Sequence, residues 1–564
     1  MKFLKMLLAV LLLLIGIACN DGKERESTTK DMQLISLEAK QAPESPPAPA
    51  SQHFTPPVEH HDTVIETMTE EGAPSKEEEK PQQNKSDKSK YFNTEDYDNI
   101  VENSFLSATQ NPLSTFSIDV DDAAYSNVRR YIQNGALPPA GAVRIEEMIN
   151  YFDYEYAQPV GDDPFAVLTE ISDCPWNNQH RLVHIGLQGK EIPMDNLPAA
   201  NIVFLIDVSG SMEEPNKLPL VKASMKLLVD QLRNKDKVAI VVYAGNAGLV
   251  LPSTPGENKQ AIKQAIDGLE AGGSTAGGEG IQLAYKIARE NFIRDGNNRI
   301  ILATDGDFNV GVSSDDDLVR LIENERKSGV FLSVLGFGMG NYKDNKMQQL
   351  ADKGNGNHSY IDNINEARKV LVSEFGSTLF AIAKDVKIQI EFNPAKVAAY
   401  RLIGYENRML AAEDFNDDKK DAGELGSGHT VTALYEIIPA GVKDDFIKTV
   451  DPLKYQPAKT NVVYSGEEIM TIKLRHKKPQ EEESKLISKS VLDKHITLSE
   501  TSDNFRFSAS VASFGMILRN SAYKQNTSYK QIVSLAKSAK GNDENGYRAE
   551  FIKLAESAAL LANH

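Results

Sequence analysis

Between residues 200 and 382 the chain alternates short apolar runs with amphipathic stretches. Six runs read as strands: IVFLID (202–207), VAIVVYA (238–244), GLVLPS (248–253), RIILAT (299–304), VFLSVLGFG (330–338) and HSYID (358–362). The first, second, fourth and fifth are almost continuously apolar, as strands covered on both faces should be. Between them Val221, Met225, Leu228 and Leu232 recur on one helical face, as do Ile262, Ala265, Ile266 and Leu269. Asp315, Asp316 and Asp317 open a further helix holding Leu318, Leu321 and Ile322, where acids suit the positive helix end. This alternation predicts an α/β fold with an open, doubly wound, mostly parallel sheet.

The flanks read differently. FAVLTEIS (165–172) and RLVHIGLQG (181–189) precede the α/β region; VKIQIEF (386–392), AAYRLIGY (398–405), HTVTALYEIIP (429–439) and EEIMTIKLRH (467–476) follow it. These are strands without intervening helices. Three helices close the chain, the first carrying Phe507, Val511, Phe514 and Leu518 on one face. Strands on both sides predict one β-rich domain into which the α/β unit is inserted. The expected boundaries are an N-terminal α+β region at 91–165, flanking strands at 166–199, the α/β unit at 200–382 and a β-rich then helical domain at 383–564. Asp119, Asp121 and Asp122 precede a helical stretch and read as caps, because the glycine and distal glutamate of a calcium loop are missing.

The N-terminus changes the picture. Lys2 and Lys5 precede LLAVLLLLIGIA, an apolar run too short to span a bilayer comfortably, and Cys19 follows it. The arrangement resembles a bacterial lipoprotein signal, in which Cys19 becomes the lipidated first residue of the mature chain; an ordinary secretory signal or a membrane anchor is the alternative. Residues 20–90 are rich in Pro, Glu, Ser and Lys and too poor in apolar side chains to offset the entropy of ordering, so they read as a disordered tether, with His53, His60 and His61 as solvated linker residues. With Cys174 the other of only two cysteines, no disulfide framework exists, and Cys174 reads as a buried small hydrophobe. The formal charge of −18 argues against a nucleic-acid partner.

Candidate chemistry lies at strand ends. In an open α/β sheet, ligands bind beyond the carboxyl ends of the strands. Two predicted strands end in aspartate, at Asp207 and Asp305; Ser209 and Ser211 follow the first, and the glycine-rich loop 271–280 adds Thr275. Hydroxyls, carboxylates and water suit a small hard cation such as Mg²⁺, with Mn²⁺ or Ca²⁺ as alternatives. If the hydroxyls bind directly and the acids act largely through water, the ion keeps enough charge to accept a carboxylate from another molecule.

The stretches NIVFLIDVSGSM and ATDGDFN, with the isolated Thr275, resemble the von Willebrand factor type A domain and its metal-ion-dependent adhesion site, whose pattern is Asp-x-Ser-x-Ser with a distant Thr and Asp. The resemblance places Asp207, Ser209, Ser211, Thr275 and Asp305 as metal ligands. It implies a sheet ordered 3-2-1-4-5-6 with one antiparallel edge strand, and the flanking sequences resemble those of bacterial lipoproteins in this family. Asp307, Glu279 and Asn309 read as surface, capping or turn residues. The expected function is that of a lipid-anchored protein of the bacterial cell envelope, at the outer membrane or cell surface, whose metal captures an exposed Asp or Glu of a protein partner. No enzyme is expected, and no nucleotide; the sequence offers no His-Glu-x-x-His helix, Gly-x-Ser-x-Gly elbow or Walker lysine. The alternatives are a metal-dependent hydrolase with Asp207 as nucleophile, and a structural envelope protein whose metal only stabilises the fold.

Overall fold

The computed structural model describes residues 95–274, 277–306, 315–374, 376, 380–447 and 466–563. The signal segment with Cys19 and the tether lie outside the described residues.

The α/β unit holds six strands: β1 (Ala200–Asp207), β2 (Lys237–Tyr243), β3 (Ala247–Pro255), β4 (Asn297–Thr304), β5 (Val330–Phe337) and β6 (His358–Ile361). They run in the order 3-2-1-4-5-6, with β3 antiparallel to β2 and the other pairs parallel. Every residue of β1 is buried. Because strand side chains alternate faces, Ile202, Phe204 and Ile206 pack toward α1 (Leu218–Gln231) and α2 (Lys259–Asp267), through Val221, Met225 and Ile262. Val203 and Leu205 point the other way, toward α3 (Gly277–Glu290), α4 (Asp315–Arg326) and α5 (Asp344–Lys353). A strand covered on both faces needs no polar side, which is why these runs are continuously apolar.

The flanks form two further sheets facing one core. The strand at Asn177–Gly189 pairs antiparallel with Phe165–Cys174 before it and with Thr430–Pro439 beyond the α/β unit. Ala381–Phe392 pairs with Glu468–Lys477 and with Leu113–Ser117. Phe116, Val183, Ile185, Ile388, Ile390 and Tyr435 from both sheets share that core. The α/β unit leaves after Gly189 and returns at Ala381, and the two points touch: a Cβ on Gly189 would stand 3.2 Å from Ile382 Cδ1. The unit is thus inserted into the sandwich. The helices Ala123–Gln133 and Ile145–Asn150 join the C-terminal helices Asp503–Leu518, Tyr529–Ser538 and Tyr547–Leu561 in a separate helical core, with Cys174 and Trp176 buried in it.

One local expectation is overturned. Asp122 stands at the N-cap of Ala123–Gln133 but makes no side-chain cap bond. Asp121 instead accepts the His358 N–H at 2.8 Å and pairs with Arg408, which also holds Asp119 and Asp352. A tertiary arginine outcompetes the local backbone donors for these acids.

Candidate metal centre

β1 and β4 are neighbours at the middle of the sheet, so their carboxyl ends bring Asp207 and Asp305 to one crevice. The Oδ1 of Asp207 accepts the Ser209 N–H at 2.9 Å, which turns the chain sharply out of the strand. Its Oδ2 accepts the hydroxyls of Tyr243, from the end of β2, at 3.1 Å and of Thr304, from the end of β4, at 3.2 Å. Asp207 is fully buried, and no cation pairs with it among the described residues. Burial raises its carboxyl to about 6; the Ser209 donors oppose that rise, and the neighbouring Asp305 charge adds to it.

The hydroxyl oxygens of Ser209 and Ser211 lie 3.0 Å apart, and the Ser211 hydroxyl is hydrogen-bonded to Asp305. The four side chains therefore form one continuous chain of oxygens. The Oδ2 of Asp305 accepts from Lys217 Nζ at 2.9 Å and from Asn341 Nδ2 at 3.2 Å. Burial pushes this carboxyl up, but the Lys217 ammonium, with Asn341 and Ser211, brings it below its ordinary value. The chain turns away at Gly306, whose φ of +95° suits glycine and where a Cβ would stand 2.8 Å from the Lys343 nitrogen.

The loop after α2 is drawn onto the centre. Gly272 N–H donates to the Val208 carbonyl at 2.7 Å, and Gly210 N–H donates to the Gly273 carbonyl at 3.0 Å. Thr275, two residues on, lies outside the described residues, as do Asp307 and Asn309. Glu279 is exposed on the first turn of α3.

The oxygens are hard donors in the proportions a small divalent cation takes with retained water. Asn341 Oδ1 is buried beside Asp305 with no partner among the described residues, an acceptor suited to a bound water. Among the described residues no three His, Cys, Asp or Glu side chains gather as metal ligands. Lys217, Tyr243, Thr304 and Asn341 were not legible as site residues. A tyrosine ending the second apolar run was the one available signal.

Residues 201–372 match the family described as von Willebrand factor type A domain, and residues 91–184 one described as von Willebrand factor. Residues 377–561 match "Uncharacterized protein YfbK, C-terminal". The protein YfbK of Escherichia coli (strain K12) is 46% identical over 476 residues, covering 82% of this chain and 80% of that one. The chain belongs to the YfbK family of bacterial von Willebrand factor type A proteins. In this YfbK-family chain the type A domain is the α/β unit, and the oxygen cluster stands at the carboxyl ends of its sheet. A second relative, sll0103 of Synechocystis, is 29% identical over 187 residues, 33% of this chain and 43% of its own. Among solved structures, a von Willebrand factor type A protein from Catenulispora acidiphila is 16% identical and covers 70% of this chain and 91% of its own, with a TM-score of 0.39. Proximal thread matrix protein 1 from the mussel byssus, described with a zinc-occupied MIDAS motif, is 26% identical over 31% of this chain and 45% of its own, with a TM-score of 0.26.

Proposed function

We propose that this YfbK-family protein is a metal-dependent binding module of the bacterial envelope, held to a membrane by a lipid on Cys19, and not an enzyme. Ser209, Ser211 and Thr275 would hold the cation, Mg²⁺ by its donor chemistry, while Asp207 and Asp305 orient its waters. When bound, the ion supplies a Lewis-acidic position for a carboxylate of a protein partner. The chain's own residues supply the rest. Tyr243, Thr304 and the Ser209 N–H fix the Asp207 carboxylate in place. Lys217 and Asn341 fix Asp305.

The observation that carries this reading is Asp207 itself: a fully buried carboxylate at a strand end, beside two serine hydroxyls and a second acid, with only neutral donors to it among the described residues. A buried charge so placed calls for a counter-ion. The apolar run ending at Cys19 and the long polar segment after it support anchoring at a distance from the membrane.

The test is affinity capture from envelope extract using the mature chain and its Asp207→Ala variant, each with Mg²⁺ and with chelator. Partners retained only by the wild type in Mg²⁺ are expected. The same proteins retained in chelator would contradict the proposal.

A further inference from the structure

Lys217 stands where the adhesion-site pattern has no residue. It ends the turn before α1 and reaches 88 positions along the chain to Asp305. The lysine is 5% exposed, and its stem runs beneath Gly338, where a Cβ would meet Lys217 Cε at 2.5 Å and Cγ at 2.7 Å. Gly338 also has a φ of +78°, so the crossing rests on a glycine twice over. An ammonium held this way does not swing out to solvent without moving the 338–340 turn. It is a built part of the centre and not a surface lysine that happens to reach an acid.

Its charge decides what the centre does once loaded. Among the described residues, two carboxylates and one ammonium leave the cluster with one net negative charge. A divalent cation turns that into one net positive charge. Without the lysine, cation and carboxylates would cancel, and the loaded centre would hold no surplus for an incoming anion. The ammonium also repels the cation in a crevice shielded from water, where such interactions are strong.

We infer that Lys217 is the specificity-determining residue of this centre: it stays on Asp305 when the cation enters, weakening the hold on the metal while strengthening the metal's hold on a partner's carboxylate. This rests on the adhesion-site reading proposed above. Its signature is two opposed changes in one variant, which neither a structural role nor a plain metal ligand produces.

The experiment uses the full chain with Mn²⁺ as the probe metal and acetate as the probe anion. Electron paramagnetic resonance counts free Mn²⁺ during titration, and water-proton relaxation of the Mn²⁺-loaded protein reports acetate entering the metal's shell. Lys217→Met is expected to bind Mn²⁺ about tenfold or more tightly, and acetate about tenfold or more weakly. Lys217→Gln should move both in the same directions and carries the test if the methionine variant does not melt cooperatively. Variants that bind Mn²⁺ no more tightly than the wild type, that keep the wild-type acetate affinity, or that both fail to fold, overturn the inference while wild-type Mn²⁺ binding stands. A wild type that binds no Mn²⁺ at all overturns the adhesion-site reading and this inference with it.

Discussion

Where the helix Ala123–Gln133 lies along the edge strand β6, buried acids meet arginines; at the carboxyl ends of β1 and β4, one of two buried acids meets no cation among the described residues. In the first region Arg129, nearly inaccessible, donates to Asp362 from Nε at 2.7 Å, to Glu366 from Nη2 at 2.7 Å and to Glu550 from Nη1 at 2.9 Å. Arg408 does the same for Asp121 and Asp352. In the second region Asp305 has Lys217, while Asp207 has two hydroxyls and an amide. The same residue types thus serve opposite ends. The seam spends its charges internally and fixes how the helical core, the α/β unit and the C-terminal helix meet. The centre withholds part of its compensation, which is the property a cation-binding site requires.

Breaking the seam should have the largest effect of any single substitution. Arg129→Met leaves Asp362 and Glu366 buried without their guanidinium, and should cost about 3–5 kcal/mol in urea unfolding. A loss under about 1 kcal/mol would place the seam's acids in water and dissolve the contrast. Acidification is next, because it also loads the scaffold, at buried histidines away from the centre. Burial holds His184 down to about 3 and His358 down to about 4, against an ordinary 6.5. Their folded-state values are depressed, so the unfolded chain takes up the protons first. Their contribution to stability is full above pH 6.5 and falls as pH drops, by about 1.4 kcal/mol per unit for each histidine until its folded value is reached. In His184→Gln the fall between pH 6.5 and 4.5, read by thermal melting, should be shallower than in the wild type. The smallest effect should come from Asp207→Asn in chelator. Removing an unpaired buried charge offsets the weakened hydrogen bonds, and stability should stay within about 1 kcal/mol of the wild type.

Legibility in the sequence followed the same division. The α/β unit could be read because each of its strands is a local apolar run, and because Asp207 and Asp305 interrupt two of them at their ends. The resemblance to the type A domain supplied the strand order that makes those ends adjacent. The sandwich strands could be recognised but not paired: Arg181 faces Ile437 and Gln188 faces Thr430 across the whole inserted unit, a register that no local pattern encodes. Lys217 stands at the start of an amphipathic helix, where nothing local marks it as part of the centre; its passage against Gly338 and its bond to Asp305 place it there. Asp119 and Asp121 look like caps because capping is the local option, and Arg408, nearly three hundred positions on, is what overrides it.

The most direct measurement is isothermal titration of Mg²⁺ into chelator-treated full-length protein, wild type against Asp207→Asn. One ion should bind the wild type and none should be detected with a variant that melts at nearly the same temperature. Equal binding by the two proteins would contradict this, because the buried carboxylate without a cation would then have no part in holding one.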